Sequence, residues 1–167
     1  MPNEILYKER ISSHKTEALF VALTLIFSLL FIWRVAANGL ELLALVLLAF
    51  AGLFLFYSLN YRTLVIQLTS QALKLTFGVF TWKVPLDNVA QCALDEIPPF
   101  MKYGGAGIHF MNIRHRYRAS FNFLEYPRIV IEFKEKVGPV RDISFSTRHP
   151  DQVLHLIQQA VAEKQAA

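Results

Sequence analysis

Two long apolar segments dominate the pattern of hydrophobic and polar positions, and a short polar break separates them. The first covers residues 18–37, with Arg34 near its end, and the second covers residues 42–59 and carries no charge. A helix rises 1.5 Å per residue, so about 20 residues span the roughly 30 Å of bilayer hydrocarbon. Neither segment keeps the polar face of a helix packed on a soluble core. The pattern therefore predicts a transmembrane helical hairpin, with Asn38 and Gly39 in its tight turn.

Beyond residue 61 the period of the apolar positions shortens to two, which is typical of strands with one buried face. Residues 64–68 and 73–77 alternate in this way, and Gly78 breaks the run. Further strands are predicted at residues 82–84, 89–94, 108–117, 129–133 and 140–145. Residues 150–163 return to helical spacing after Pro150, which suits a first helical position. About seven short antiparallel strands and a C-terminal helix predict a mainly-β roll or sandwich.

Charge placement predicts the orientation of the hairpin. The chain carries a net charge of +4, and residues 1–17 carry three basic and three acidic side chains. Arg62, Lys74 and Lys83 follow the second span, whereas the connecting loop holds only Glu41. The positive-inside rule then places both termini in the cytoplasm and the loop outside the cell membrane. A cleaved signal peptide ending near Ala37 is the alternative, but its apolar run would be unusually long.

The predicted division of the chain has three parts. Residues 1–17 are expected to form a cytoplasmic tail, with a short interfacial helix as the alternative. Residues 18–59 form the hairpin, and residues 60–167 form one cytoplasmic domain large enough for its own core. The small side chains of the second span, which would let the helices approach closely, are Ala44, Ala49, Ala51 and Gly52.

Three stretches of the predicted domain carry a family resemblance. They are the hairpin at residues 72–84 followed by PLDNV, the segment YGGAGIHF within residues 98–110, and the closing ISFSTRHPDQVLHLI at residues 143–157. Together they resemble the bacterial PH-like (pleckstrin homology-like) domains of small membrane proteins, in which two spans also precede the domain. The family often has a tryptophan where Ala106 stands. The resemblance implies a PH-like roll and a membrane topology, and none of its motifs is catalytic.

A run of basic residues is the main candidate binding feature. On an extended strand, residues i, i+2 and i+4 share a face, so Arg114, Arg116 and Arg118 are expected to form one stripe. Each basic residue near an anionic leaflet contributes roughly 1 kcal/mol, so three contribute about 3 kcal/mol. Lys102 and Arg128 are expected to extend this patch. The alternative is a solvated strand face paired with nearby carboxylates.

Aromatic and basic residues near the ends of the spans are expected to anchor the hairpin at the two interfaces. They are Trp33, Arg34, Tyr57, Tyr61 and Arg62.

Catalytic and cofactor signatures are not found in the sequence. Gly104 and Gly105 lie in a glycine-rich stretch that leads into a strand, which is the wrong context for a phosphate loop. The five histidines and the single Cys92 lack zinc-ligand spacing. Neither span holds an ionisable residue away from its ends, which argues against a transporter core. The chain also lacks the dense basic stripe of a nucleic-acid binder.

These observations predict a binding module held at the membrane surface, with no enzymatic activity and no cofactor. Its expected ligands are anionic lipid headgroups or a membrane protein partner, including a peptide added to a sheet edge. Two alternatives are a structural subunit docked in a larger assembly through the hairpin and a membrane-interface enzyme. Oligomeric state does not follow from the sequence.

Overall fold

The computed structural model describes residues 4–95, 107–113, 116–123 and 125–166. Two helices near the N-terminus form the hairpin: α1, His14–Asn38, and α2, Leu42–Asn60. At 1.5 Å per residue they extend about 37 Å and about 28 Å. Both are long and apolar enough to cross a membrane, and only 6% and 11% of their most apolar windows are buried. Because almost all of this apolar surface is exposed, neither helix is the core helix of a soluble domain.

Small side chains set the contact between the two helices. Ala44 and Ala51 of α2 are buried against α1, and the rings of Phe27 and Phe54 lie 5.3 Å apart. Ala49 and Gly52, which were also expected at this contact, lie on the exposed side of α2. The prediction of close approach is therefore right for two of the four positions.

The first sheet has four antiparallel strands in sequence order. They are β1, Ile5–Ser12; β2, Thr63–Thr69; β3, Ala72–Phe77; and β4, Phe80–Pro85. Apolar side chains at alternate positions of β2 and β3, such as Leu64, Ile66 and Leu75, face the core. The pattern of alternation therefore predicted β2, β3 and β4 correctly, but β1 was not predicted.

The second sheet has five strands in the order β5-β8-β9-β7-β6. They are β5, Val89–Leu94; β6, Gly107–Ile113; β7, Arg116–Asn122; β8, Arg128–Val137; and β9, Val140–Ser146. The predicted single strand at residues 108–117 is instead two strands, whose pairing ends at Ile113 and Arg116. β7 and β9 run parallel. The described residues thus form nine strands, not seven, and one strand pair is not antiparallel.

One core lies between the two sheets and the C-terminal helix α3, Pro150–Ala166. Val153 and Ile157 of α3 are fully buried in it. Aromatic contacts cross the core and continue into the hairpin. The ring of Phe77 lies 5.0 Å from that of Phe123 and 5.1 Å from that of Tyr61 at the end of α2.

The hairpin is joined to the first sheet by very short connections on both sides. Ser13 alone separates β1 from α1, and its Oγ accepts a hydrogen bond from the amide of Thr16 at 3.1 Å, which caps the helix. Tyr61 and Arg62 alone separate α2 from β2, and Ser12 pairs directly with Thr63. The chain before α1 and the chain after α2 therefore lie together at one end of the hairpin.

β1 is held by Glu9, a buried carboxylate that faces the second half of the domain. It accepts hydrogen bonds from Tyr7 Oη at 3.0 Å, Thr147 Oγ1 at 2.5 Å and the amide of Arg148 at 3.0 Å. Burial, together with the negative charge of Glu9, raises the pKa of Tyr7 to about 12. The expected loose tail or interfacial helix at residues 1–17 is thus wrong for residues 5–12, which belong to the sheet domain.

Candidate functional site

An open cleft of about 410 Å³ runs between β5 and α3. Its lining comprises residues 89–92 of β5 and, from α3, Ile157, Gln158, Val161 and Ala162. The helical residues project from one side of α3 because they are spaced at i, i+1, i+4 and i+5. Val89 and Ile157 form an apolar floor, while Gln91 and Gln158 are exposed at the rim. The accessible lining of the cleft is about as polar as it is apolar, so a ligand here would be held by hydrogen bonds as well as by apolar contacts.

The strand that borders this cleft, β5, lies at one edge of the five described strands of the second sheet. Among the described strands, β5 pairs only with β8, so its other side presents backbone N–H and C=O groups without strand partners. The pairing is irregular between Val89 and Gln91, which leaves residues 91–94 as the regular part of the edge. An extended peptide can add to such an edge as a further strand, with alternate side chains entering pockets. The cleft is placed to receive those side chains.

The single cysteine lies in the cleft wall, and it is 9% exposed. Burial raises the pKa of the Cys92 thiol to about 12. The thiol is therefore protonated at neutral pH, whereas nucleophilic attack and metal binding need the thiolate. Within the described residues, no group of three or more His, Cys, Asp or Glu side chains is placed to hold a metal ion. The cleft thus offers contacts and hydrogen bonds for a ligand.

A basic row crosses the outer face of the first sheet. Lys8 lies opposite Gln67, Gln67 opposite Lys74, and Lys74 opposite Lys83. Arg10 projects from the same face of β1, since residues i and i+2 of a strand share a face. None of the four basic side chains forms an ion pair within the part of the chain that the structure describes. The row was not predicted, because it requires β1 to pair with β2 across the hairpin.

The predicted arginine stripe is not an exposed surface at Arg118. Its guanidinium lies inside the domain, with Nη1 2.7 Å from Asp95 Oδ1 and Nη2 3.0 Å from Asp142 Oδ2. Ser144 Oγ donates to the other oxygen of Asp95 at 2.8 Å. Burial acts to lower the pKa of Arg118, but the hydrogen bonds and charges of the two aspartates outweigh it and raise that pKa. The prediction of an exposed Arg118 is wrong because two carboxylates bind it, that of Asp142 in β9 and that of Asp95 directly after β5.

The two other described residues of the predicted patch do not form an exposed surface together with Arg118. Arg116 is exposed and forms an ion pair with Glu132, which matches the alternative of a paired strand face. Arg128 is 4% exposed, so its expected accessibility is also wrong. Arg114 and Lys102 lie outside the described residues.

Arg116 also lies far from the hairpin. A Cβ atom at Gly107 would clash with the ring of Tyr61, so β6 begins beside the end of α2. β6 then runs six residues to Ile113, the partner of Arg116, a length of about 20 Å at 3.3 Å per residue. Arg116 therefore lies at the end of the β6–β7 pair that points away from the helices.

The predicted interface anchors have different environments. Trp33 is 63% exposed on α1, and Arg34 forms an ion pair with Glu41 across the helical turn. Arg62 is exposed, and its Nε lies 3.0 Å from Oε1 of Glu17. Tyr57 stacks on Tyr61 with ring centroids 5.0 Å apart.

Tyr61 was expected at the membrane surface, but it is only 6% exposed and packs in the core. Its ring contacts tie the end of α2 to the sheet domain.

Comparisons of the chain with protein-family models, with curated proteins and with solved structures find no match.

Proposed function

We propose that this protein is a membrane-anchored binding module whose sheet domain holds an extended segment of a partner protein in the cleft between β5 and α3. The hairpin crosses the cell membrane in this proposal, and the domain lies on the cytoplasmic side as a PH-like module. In this proposal the protein acts by binding, through apolar contacts and hydrogen bonds that the cleft offers.

The membrane placement is supported by two independent features. The two helices expose apolar side chains on nearly all sides, as a lipid environment requires. Pairing of β1 with β2 puts both flanks of the hairpin on the same side, and basic residues such as Lys15 and Arg62 near the spans favour the cytoplasm. A cleaved signal peptide would remove β1, which is paired along its length with β2.

The observation that carries the proposed binding activity is the position of the cleft beside the edge of β5 that has no partner among the described strands. Backbone pairing with residues 91–94 would hold about four residues of the partner in register. Side chains on one face of the added strand would then contact Val161 and Ala162. The short connections at Ser13 and Tyr61-Arg62 hold this cleft at a fixed position relative to the hairpin, so partners are met near the membrane.

Peptide selection followed by hydrogen exchange tests this proposal. A linear peptide is selected from a random library against the full chain in detergent micelles, and amide exchange is compared with and without it. We expect slowed exchange in residues 91–94. The variant Ala162→Trp fills the cleft from an exposed position and should weaken binding about tenfold or more, or about 1.4 kcal/mol.

The matched control is Gln159→Trp, which adds the same ring to an exposed position of α3 outside the cleft and should bind like wild type. Protection confined to other strands, or equal affinity of Ala162→Trp and wild type, would contradict the proposal.

Anionic headgroup binding is a second candidate, favoured by the basic row on the outer face of the first sheet. Four basic side chains would contribute about 4 kcal/mol near an anionic surface. Replacing Lys8, Arg10, Lys74 and Lys83 together by Gln should abolish binding of soluble dihexanoyl phosphatidylserine to the full chain in an uncharged detergent. Binding that is unchanged in this variant, or equal for dihexanoyl phosphatidylcholine, would exclude this candidate.

A further inference from the structure

The turn between β3 and β4 packs directly against the end of α2. Gly78 has φ 56°, and a Cβ atom on it would lie 2.5 Å from the carbonyl oxygen of Asn60. The amide of Val79 donates to Asn60 Oδ1 at 3.2 Å. This two-residue turn therefore lies at the level where α2 ends and the sheet begins.

The turn is apolar and exposed. Val79 is 74% exposed and Phe80 is 41% exposed. The ring of Phe80 lies 6.2 Å from that of Phe56, which faces outward from α2. Leu59, 68% exposed, lies on the same last turn of the helix. The apolar surface of α2 thus continues onto the β3–β4 turn, with no charged residue among Phe56, Leu59, Val79 and Phe80.

The opposite end of the same sheet shows what a solvated turn looks like in this protein. The β2–β3 turn consists of Ser70 and Gln71, both polar. Gly78 is the glycine that a two-residue hairpin turn prefers, but the two residues that follow it, Val79 and Phe80, are apolar and exposed. The polar turn lies at the end of the sheet away from α2, whereas the apolar turn lies against the end of α2.

We propose that Val79 and Phe80 insert into the boundary between headgroups and acyl chains and form a third contact with the bilayer beside the two helices. This inference rests on the proposed membrane crossing of the hairpin. The occupant is the lipid surface, because the turn continues the apolar face of α2. With three points of contact, the sheet domain keeps one tilt on the membrane, which fixes the direction in which the β5–α3 cleft opens.

Labelling with an environment-sensitive fluorophore tests the inference in the full chain. Cys92 is the only cysteine, so single cysteines are introduced in a Cys92→Ala background and labelled with nitrobenzoxadiazole. The test positions are Val79→Cys and Phe80→Cys. Gln71→Cys labels the polar turn, and Leu48→Cys labels the exposed middle of α2. Each protein is reconstituted in phosphatidylcholine vesicles with and without a lipid spin-labelled near the top of its acyl chain.

We expect the labels at positions 79 and 80 to emit at shorter wavelength than the label at position 71 and to be quenched several-fold more strongly. Emission and quenching equal to those at position 71 would overturn the inference, as would equally strong quenching at all four positions. A label at position 48 that emits as in water would instead contradict the membrane crossing itself, so the two failures are distinguishable.

Discussion

Replacing Arg118 by Met should be the most destabilising single change among the arginines of the second sheet. The side chain of Arg118 is 8% exposed, and those of its partners Asp95 and Asp142 are 4% and 0% exposed. Met keeps most of the apolar stem but removes the charge, which leaves two carboxylates buried beside each other. Removing one partner of a buried ion pair typically costs about 3–5 kcal/mol, a large part of the 5–15 kcal/mol that stabilises an ordinary domain.

The chain supplies a matched control two residues away. Arg116 lies on the same strand, but its side chain is 45% exposed and its pair with Glu132 is open to solvent. Surface pairs of this kind contribute about 0–1 kcal/mol, so Arg116→Met should change the free energy of unfolding by no more than that.

Urea unfolding of the full chain in detergent, followed by near-ultraviolet circular dichroism, measures both variants. A double variant with Asp142→Asn should lose less than the sum of the two single losses, because the neutral amide relieves the unpaired charge. A loss in Arg118→Met within about 1 kcal/mol of that in Arg116→Met would refute this account of the buried cluster.

Three further changes test other parts of the fold. Glu9→Gln should cost about 2 kcal/mol, because it weakens hydrogen bonds to a buried carboxylate, and should raise protease cleavage within residues 5–12; unchanged cleavage would contradict the role of β1. Burial lowers the pKa of His109 to about 4, and the charge of Arg128 adds to the effect. Because the unfolded chain takes up a proton at this residue near pH 6.5 and the folded chain does not, the free energy of unfolding should fall as the pH drops from 6.5 to 4. The loss should be up to about 2 kcal/mol, since the side chain is only partly buried. His109→Gln should flatten that urea-midpoint profile, and an identical profile would speak against it. Gly78→Ala should cost about 1–3 kcal/mol, because of its positive φ and its contact with the end of α2, whereas Gly52→Ala, with open space around it, should be neutral or stabilising in thermal unfolding.

The local elements were predictable because their signals are short-range. Residues 64–68 alternate apolar and polar side chains, and the structure has β2 at Thr63–Thr69. The same holds for β3, for β9 and for the start of α3 at Pro150, where the helical spacing begins. The hairpin was predicted from length and apolarity alone, and Gly39 at its turn has the positive φ expected of a helix end.

β1 was not predictable from the same kind of signal. Lys8, Glu9 and Arg10 interrupt its alternation, and the charged Glu9 occupies a core-facing position. The hydrogen-bond donors to Glu9, Thr147 and Arg148, follow 138 and 139 residues later in the chain. No local pattern therefore indicates that the buried carboxylate has hydrogen-bond partners. The strand that β1 pairs with also lies beyond the whole hairpin.

The candidate site was missed for a related reason. Arg118 and its neighbours looked like an exposed stripe because alternate arginines on a strand usually face solvent, but the parallel pairing of β7 with β9 brings Asp142 against Arg118. The cleft depends on the position of α3 beside β5, which a one-dimensional pattern does not contain. Addition of a peptide to a sheet edge was expected, but the sequence did not indicate that β5 would be the edge strand beside the cleft.

Photocrosslinking in native membranes tests the central claim, that the β5–α3 cleft binds a partner segment at the membrane. A benzoylphenylalanine at Ala90, in the cleft wall, should form an adduct with a contiguous segment of one protein, and the adduct should disappear when Ala162→Trp fills the cleft. The same probe at Lys83, on the basic row, should not form that adduct. An adduct that persists in the filled cleft, or that forms equally from Lys83, would contradict the account.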